Sequence, residues 1–290
     1  MKRIGNLYEK VCSIENLQLA DEKARKGKLR TYGVIEHDKK REVNLLKLRE
    51  TLLNGTFHTS KYDVFTIYEP KEREIYRLPY FPDRILHHAI MNVLEPIWVS
   101  TFTADTYSCI KNRGIHAAAK KVKQALREDP EGTTFCLKLD IRKFYPSINH
   151  DVLKSILRRK LKDKRLLRLL DEIIDSADGV PIGNYLSQYF ANLYLTYFDH
   201  WIKEQKRVKH YFRYADDIVI LASDKSYLHS LMGEIRAYLG DLKLEVKGNW
   251  QVFPVAARGI DFVGYVFFHT HTRMRKGIKK TFCRRLAKLH

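Results

Sequence analysis

Cysteine is scarce in this sequence, and the few cysteines lie far apart. The four are Cys12, Cys109, Cys136 and Cys283, with no Cys-x-x-Cys pair. This spacing argues against a zinc site or a disulfide framework and is typical of a reducing compartment. Long apolar runs are also missing, since none approaches the ~20 residues of a membrane-spanning helix, and the N-terminus is charged rather than signal-like. We therefore expect a cytoplasmic protein that does not associate with a membrane.

Acidic residues are also few compared with basic residues. The 290 residues include 34 Asp and Glu against 53 Lys and Arg, a formal net charge of +19. Such an excess favours a polyanionic partner, because each neutralised phosphate releases counterions. Charge alone leaves open a basic soluble protein without such a partner, or one bound to anionic lipid. The length of 290 residues predicts one large domain or two smaller ones, and the sequence has no internal repeat and no low-complexity linker.

The first hundred residues predict a helix, a hairpin and a second helix. Helical periodicity covers 40–54 and stops at Gly55. Two strand-like runs follow at 63–68 and 74–78, with a proline-containing turn between them. Asp83 is then expected to cap the N-terminus of a long amphipathic helix.

The rest of the sequence predicts both strands and helices. Phe135, Leu137 and Leu139 take one face of a strand at 133–140. The further elements are helices at about 149–162, 164–176, 184–206 and 225–240, a hairpin with strands 209–214 and 218–222, and short strands at 242–247, 251–256 and 260–268. This order indicates an α+β fold, in which a small antiparallel sheet is backed by helices.

Three aspartates stand at the ends of predicted strands. Asp140 ends one strand, and Asp216 and Asp217 form the tip of the hairpin. Adjacent carboxylates repel each other unless a positive group lies beside them, although Asp-Asp is also a common dipeptide of ordinary solvated turns. The apolar strand Ile218–Leu221 anchors this turn in a core. Pairing the strand ends would place Asp140 and Asp216 at one sheet edge, where carboxylates can hold Mg²⁺ for phosphoryl transfer.

Ordered blocks along the chain resemble reverse transcriptases. The blocks similar to the palm are Leu139–Ile148, Gly179–Ser187, Phe212–Asp217 and Arg258–Tyr265, and those similar to the fingers are Arg73–Ile75, Phe81–Ala89 and Leu94–Ile97. The fingers blocks resemble the bacterial branch of the family, which is shared with group II introns and retrons. The resemblance runs from about residue 63 to residue 270.

The resemblance implies an α+β right-hand polymerase with fingers and palm. It predicts an N-terminal helical extension at 1–60, fingers at 61–132, a palm at 133–268 with interleaved fingers helices at about 149–178, and the start of a thumb at 269–290. Because few residues remain after the last predicted strand, the thumb is expected to be short or truncated.

The same resemblance assigns roles to the acidic residues. It implies that Asp140, Asp216 and Asp217 form the catalytic cluster. The implied metal ligands are Asp140, Ile141 and Asp216, while Asp217 supports the site. The cofactor is then two Mg²⁺ ions, with Mn²⁺ as a substitute.

Other matching positions concern the incoming dNTP. The resemblance implies that the Tyr145 ring excludes a ribose 2′-hydroxyl by steric clash; packing beside Phe144 is the alternative. It also implies that one of Lys71, Arg73 and Arg77 holds the triphosphate, a role that suits the bidentate fork of arginine. A solvated basic face is the alternative for each of the three.

Two more residues are assigned by the resemblance alone. Gly264 matches the turn that supports the primer end. Lys247 is a candidate general acid that protonates the leaving pyrophosphate.

The loop at 179–188 departs from the usual pattern. Most reverse transcriptases read Pro-Gln-Gly-x-x-x-Ser-Pro, whereas this chain has Ile182 before Gly183 and Gln188 at the end. These dNTP-site positions resemble the reverse transcriptases of diversity-generating retroelements. Loss of a glutamine contact should weaken base selection by ~1 kcal/mol, about fivefold, which does not explain a preference for adenine. The alternative is that Ile182 only packs and Gln188 caps its helix.

The resemblance implies error-prone, RNA-templated DNA synthesis. Retroelements of this type copy a template-repeat RNA into cDNA with errors opposite adenine, and the cDNA diversifies a target gene. The expected partners are template RNA, cDNA, dNTPs and a small basic accessory variability protein that forms a pentamer, in a bacterial, phage or archaeal host cell. The alternatives are a conventional bacterial reverse transcriptase of the retron, CRISPR-associated or intron type, and a catalytically silent RNA-binding scaffold.

Overall fold

A computed structural model describes residues 3–68 and 72–288. Its helices and strands, in chain order, are α1 Tyr8–Cys12, α2 Ile14–Arg25, α3 Tyr32–Asp38, α4 Arg41–Asn54, β1 Asp63–Ile67, β2 Arg73–Arg77, α5 Ile85–Val99, α6 Ile115–Glu128, β3 Phe135–Asp140, α7 Phe144–Ser147, α8 His150–Lys160, α9 Lys164–Asp175, α10 Tyr185–Tyr194, α11 Thr196–His200, β4 His210–Tyr214, β5 Asp217–Ala222, α12 Lys225–Asp241, β6 Gln251–Pro254, α13 Val255–Arg258, β7 Ile260–Phe262, β8 Tyr265–Phe267, β9 Thr272–Met274 and α14 Lys276–Leu286. Further helical turns cover Tyr80–Arg84, Glu131–Thr133 and Trp201–Gln205.

These elements form two compact units, each made of two chain segments. The first unit comprises Met1–Thr101 and Tyr145–Tyr194, and the second unit comprises Phe102–Phe144 and Leu195–His290. No helix in the described residues is both long enough and apolar enough to span a membrane.

A buried carboxylate ties together several helices of the first unit. Asp21 of α2 is fully buried. It accepts hydrogen bonds from Arg25 at 2.7 Å, from Arg41 at 2.6 Å and from the Tyr80 hydroxyl. Because a buried charge is costly unless it is paired, these bonds fix α2 to the start of α4 and to the turn that precedes α5.

Antiparallel strands form the main sheet of the second unit. The strand order is β4-β5-β3-β6, and β7, β8 and β9 form a second, three-stranded sheet. The apolar core includes Val122 of α6, Phe212 of β4 and Phe262 of β7. The predicted α+β class, with an antiparallel sheet backed by helices, is confirmed.

Several predicted elements occur close to their predicted positions. Helix α4 ends at Gly55, which is left-handed with φ of +67°, as expected for a glycine that terminates a helix. The strands predicted at 63–68 and 74–78 form the β1–β2 hairpin, in which Phe65 pairs with Ile75. The helix predicted at 225–240 is α12.

The prediction that Asp83 caps a helix is wrong. Phe81, with φ and ψ of −109° and 133°, is not helical, and Asp83 lies two residues after it, inside the first turn of the helix that continues into α5 rather than at its cap. Its carboxylate is buried and accepts a hydrogen bond from the Ser60 main-chain N–H at 3.0 Å. Asp83 therefore fixes the chain before β1 rather than a helix terminus.

Other predicted elements are incorrect in extent. The strand predicted at 260–268 is two strands, β7 and β8, joined by a turn at Val263 and Gly264. The helix predicted at 184–206 is broken at Leu195, whose φ and ψ are −97° and 2°; no glycine or proline marks this break in the sequence. The strand predicted at 242–247 is reduced to one bridge between Val246 and Ile141, because Lys243 is left-handed with φ of +59° and interrupts the extended backbone.

Candidate active site

A tight turn between β4 and β5 presents two of the predicted aspartates. Tyr214 pairs with Asp217 across the hairpin, which leaves Ala215 and Asp216 in the turn. Ala215 is left-handed, with φ of +54°, and its carbonyl oxygen accepts a hydrogen bond from Arg213 Nη1 at 3.0 Å. Because residues other than glycine rarely adopt this conformation, the Arg213 bond stabilises a turn that the local sequence does not favour.

The β3–β5 register brings the third aspartate to the same sheet edge. Asp140 pairs with Asp217, and the Ile141 main-chain N–H donates to the Asp216 carbonyl oxygen at 3.4 Å. Burial, together with the neighbouring Asp140 carboxylate, raises the pKa of Asp216 to about 6, because adjacent carboxylates resist being ionised together. The predicted meeting of these strand ends is confirmed.

Asp140, Asp216 and Asp217 together form what we call the acidic edge, and two lysines supply positive charge to it. The Lys247 ammonium donates to Asp140 Oδ2 at 2.7 Å, and its main-chain N–H donates to the Asp140 carbonyl oxygen at 2.9 Å. Lys138 forms an ion pair with Asp217, and its Nζ lies 4.9 Å from the centre of the Phe262 ring. Burial lowers the pKa of Lys138 to about 8. The general acid role of Lys247 stays a prediction, and the structure places its ammonium against Asp140.

One carboxylate oxygen of the edge fits a metal ligand. Asp140 Oδ1 is buried and has no hydrogen-bond partner among the described residues, although buried polar atoms normally have one. Within 3–68 and 72–288 there is no group of three or more His, Cys, Asp or Glu side chains suited to a metal. Mg²⁺, however, commonly uses one or two carboxylates together with substrate phosphates. Asp140 and Asp216 provide that donor set, to which Ile141 can add only its main-chain carbonyl.

In the first unit, the loop before α10 is held by main-chain hydrogen bonds at both ends. The Val180 N–H donates to the Tyr145 carbonyl oxygen at 2.9 Å, and the Tyr76 N–H donates to the Ile182 carbonyl oxygen at 2.8 Å. The loop therefore joins the segment that carries Tyr145 to the β1–β2 hairpin. This places the predicted sugar gate, Ile182 and the hairpin arginines in one part of the first unit.

The two glycines of this loop are required by its geometry. Gly179 has φ of +60°, and a Cβ there would lie 2.5 Å from the Pro146 carbonyl oxygen. Gly183 has φ of +119°, and a Cβ would lie 2.8 Å from the Tyr76 carbonyl oxygen. A side chain at either position would meet main-chain atoms, which cannot move aside as a flexible side chain can. These glycines permit the close approach of the loop to its two neighbours.

Ile182 and Gln188 have different environments. Ile182 is half-buried, whereas Gln188 is exposed on the second turn of α10. The alternative in which Gln188 caps this helix is therefore wrong, because the residue lies inside it. Both remain predicted dNTP-site residues.

The three basic residues predicted to hold the triphosphate have different surroundings. Lys71 lies outside the described residues. Arg77 forms an ion pair with Asp63, and its guanidinium lies 5.6 Å from the centre of the Phe65 ring. Arg73 is exposed on the same face of β2 and has no ion-pair partner among the residues that the structure describes. Arg73 is thus the arginine whose guanidinium is available to an anion.

Gly264 lies in the turn that connects β7 to β8. Val263 and Gly264 form this turn with φ of +44° and +90°, the pattern of a two-residue hairpin turn. The Gly264 carbonyl oxygen accepts a hydrogen bond from the Arg275 main-chain N–H at 3.0 Å. The turn is therefore fixed to the chain just before α14, and the primer-end role of Gly264 stays a prediction.

Sequence reasoning missed the charges behind the β4–β5 turn. Arg213 and Asp199 are both fully buried. Arg213 Nε donates to Asp199 Oδ1 at 2.7 Å, and Arg213 Nη2 donates to Asp199 Oδ2 at 2.5 Å. The Tyr211 and Thr106 hydroxyls donate to the same carboxylate at 2.5 and 2.9 Å. An arginine within the buried strand β4 was the available signal, because buried charges require partners.

The acidic edge and the glycine-flanked loop both fall within one matched family segment. Residues 69–267 match the family described as Reverse transcriptase (RNA-dependent DNA polymerase). The chain belongs to the reverse transcriptase family. This assignment confirms the predicted enzyme class, an RNA-directed DNA polymerase, and places the three aspartates and the loop inside the family's domain.

Proteins similar to this chain include one from Escherichia coli and one encoded by a group II intron. Protein YkfC of Escherichia coli K12 is 26% identical over 279 residues, covering 80% of this chain and 73% of YkfC. The group II intron-encoded protein LtrA of Lactococcus lactis subsp. cremoris is 23% identical over 191 residues, covering 61% of this chain and 31% of LtrA. The chain therefore spans most of YkfC but less than a third of LtrA.

A solved structure supports the polymerase fold. Telomerase from Candida tropicalis, in complex with a fragment of telomeric RNA, superposes with a TM-score of 0.54 at 14% identity. The superposition covers 73% of this reverse transcriptase and 44% of that chain. At this identity the likeness concerns the fold alone, and it agrees with the predicted right-hand polymerase class.

Proposed function

We propose that this reverse transcriptase synthesises cDNA on an RNA template, with divalent metal held at Asp140 and Asp216. The observation that carries the proposal is the paired position of these carboxylates at the ends of β3 and β5, with Asp140 Oδ1 lacking a partner in the described chain. Two bound Mg²⁺ ions, or Mn²⁺ as a substitute, would neutralise negative charge on the reacting phosphate oxygens.

The chain's own groups then have distinct tasks. Lys138 holds the Asp217 carboxylate in place. The Ile141 carbonyl adds a further oxygen donor beside Asp140. Arg73 binds the triphosphate of the incoming dNTP. The Lys247 ammonium leaves Asp140 and then donates a proton from Nζ to the leaving pyrophosphate.

In the first unit, Tyr145 acts on the sugar of the dNTP. Its ring is half-buried, and its main chain is held by the loop through Val180. The ring of Tyr145 would clash with an added 2′-hydroxyl, so the site selects deoxynucleotides. Gly264 supports the primer end through the β7–β8 turn.

We further propose that the enzyme is the mutagenic reverse transcriptase of a diversity-generating retroelement. Ile182 supports this proposal, because an isoleucine offers shape but no hydrogen bond to a base pair. Its carbonyl oxygen is bound by the Tyr76 N–H, so the residue is held in a defined position. The corresponding partners are a template-repeat RNA and a small basic accessory variability protein that forms a pentamer.

A second candidate is a reverse transcriptase of ordinary fidelity from a group II intron, retron or CRISPR-associated system. The similarity to the intron-encoded protein LtrA favours it. The two candidates differ in where errors fall along the template, because only the mutagenic type concentrates them opposite adenine.

Primer extension followed by sequencing tests these functions. The purified chain is supplied with Mg²⁺, dNTPs and a primed RNA template that contains all four bases, with and without the accessory protein. Absence of Mg²⁺-dependent cDNA would contradict the polymerase proposal and favour the silent RNA-binding scaffold. Synthesis with equal error opposite every base would retain the polymerase and reject the mutagenic type.

A further inference from the structure

A large groove in the second unit lies between helix α6 and the β8–β9 hairpin. Its volume is about 1090 Å³, which exceeds the ~300–1,000 Å³ of typical small-molecule sites. It is lined by one face of α6 and by residues 265 and 267–272. None of the three catalytic aspartates lines it. We call it the α6 groove.

The α6 side of the groove is basic. Lys120, Lys123 and Arg127 line it, at a spacing that places them on one helix face. Lys120 and Lys123 are exposed, and neither has an ion-pair partner in the described chain. No Asp or Glu is found among the described residues that line the groove. Unpaired cations in a concave surface attract a polyanion.

The hairpin side of the groove offers flat rings. Phe268 and His271 stack with ring centroids 4.6 Å apart and an interplanar angle of 11°. Phe268 packs closely on the main chain at Gly259, where a Cβ would lie 2.6 Å from the ring. His271 is exposed, and both rings belong to residues that line the groove. Cations opposite a stacking platform form the arrangement that binds single-stranded nucleic acid.

We propose that the α6 groove binds single-stranded RNA. An acidic peptide would match the charge but would not use the stacked rings, and the bases of a duplex are paired and stacked within it. The choice of RNA rests on the RNA template of the proposed function. The groove then holds RNA at a surface that does not include the acidic edge.

Charge removal on α6 tests the phosphate contacts. The variant combines Lys120→Gln with Lys123→Gln, and the control is Lys121→Gln, on the same helix but outside the groove. Binding of a short, unstructured, fluorescently labelled RNA is measured by anisotropy across a salt series. Each phosphate contact contributes about 0.7 to the slope of log affinity against log salt, so the double variant should lose about 1.4 and bind roughly tenfold more weakly. Equal affinity in the double variant and the control would overturn the proposal.

Photocrosslinking tests the location. RNA that contains 4-thiouridine should crosslink to peptides from 265–272, and His271→Ala should weaken these crosslinks while leaving the salt slope unchanged. Crosslinks confined to other segments would contradict the proposal. Displacement of the RNA by polyglutamate as readily as by unlabelled RNA would identify a general polyanion surface instead, and equal competition by single-stranded DNA would reject the choice of RNA.

The outcome is separable from that of the proposed function. Primer extension on a short template is measured for the same α6 variants, and we expect it to persist because neither lysine belongs to the acidic edge. A wild-type chain that crosslinks at 265–272 but makes no cDNA would retain the groove and reject the polymerase. If the wild-type chain makes cDNA but the double variant loses no RNA affinity, the polymerase is retained and the groove is rejected.

Discussion

Arg213 and Asp199 form a buried two-point ion pair directly behind the turn that carries Asp216. Two guanidinium nitrogens reach the two carboxylate oxygens, and a third nitrogen reaches the Ala215 carbonyl oxygen at 3.0 Å. The pair therefore connects the core of the second unit to the left-handed residue that precedes Asp216. It acts on the acidic edge of Asp140, Asp216 and Asp217 through the main chain.

The first prediction concerns this pair. Arg213→Lys keeps the positive charge but removes the planar fork and leaves Asp199 buried without its full set of donors, so it should cost about 1–3 kcal/mol of unfolding free energy. The control is Arg275→Lys, which alters an exposed pair with Asp261 whose partners are 45% and 55% exposed and should cost at most about 1 kcal/mol. Urea unfolding measures both variants. Equal losses of unfolding free energy in the two variants would show that the buried pair stabilises the fold no more than the exposed pair does.

The second prediction concerns the pH dependence of stabilisation by Mg²⁺. The folded-state pKa of Asp216 is raised to about 6 from an ordinary value of 3.8, so folding favours the protonated carboxyl. The stabilisation is present below the ordinary value and is lost as the pH rises through about 6, where the ionised carboxylate meets Asp140. Because metal binds the ionised form, Mg²⁺ should raise the melting temperature more at pH 7.5 than at pH 5.

Thermal melts at the two pH values, with and without Mg²⁺, measure this effect. Asp216→Asn is the matched control, since its amide keeps the shape but cannot ionise, and it should lose most of the Mg²⁺ response at both values. If Mg²⁺ raises the wild-type melting temperature equally at pH 5 and pH 7.5, ionised Asp216 is not a ligand of the metal.

The acidic edge could be predicted because its signals are local. Asp140 and Asp217 each adjoin a short apolar strand, and the antiparallel pairing of such strands brings their ends together. The partner of Lys138 could not be predicted in the same way. Its contact with Asp217 depends on strand register, which alternation does not determine by itself.

The pairing of Arg213 with Asp199 behind the turn could not be predicted from the sequence. Asp199 lies in α11, which begins after the predicted long helix breaks at Leu195, and no glycine or proline marks that break in the sequence. The misplaced cap at Asp83 has a similar cause. Asp83 looks like a helix start in sequence, but its bond to Ser60 comes from a segment 23 residues earlier.

The third prediction concerns the loop glycine next to Ile182. Gly183→Ala would place a Cβ 2.8 Å from the Tyr76 carbonyl oxygen and should displace the loop from β2, raising the KM for dNTP. Gly27→Ala is the control, because Gly27 is also left-handed, with φ of +73°, but has no atom within 4 Å of a built Cβ. That control should lose only about 1–2 kcal/mol of stability and keep its KM. An unchanged KM in Gly183→Ala would exclude the loop from dNTP binding.

The fourth prediction concerns the sugar gate. Tyr145→Ala should increase incorporation of ribonucleotides relative to deoxynucleotides by on the order of tenfold to hundredfold, because the ring no longer blocks the 2′-hydroxyl. Tyr145→Phe keeps the ring and should retain the discrimination. Single-nucleotide insertion with matched NTP and dNTP measures the ratio, and a ratio that is unchanged in the alanine variant would leave Tyr145 as a packing residue.

The fifth prediction separates the two candidate reverse transcriptases. Ile182→Gln restores the amide found in most family members, so it should lower misincorporation opposite template adenine by about fivefold, the effect of one hydrogen bond of ~1 kcal/mol. Ile182→Val is the control, since it keeps an apolar, β-branched side chain and should keep the error rate. Deep sequencing of cDNA gives the errors at each template base. If Ile182→Gln and Ile182→Val have the same adenine error rate as the wild type, Ile182 does not set fidelity and the mutagenic assignment loses its structural support.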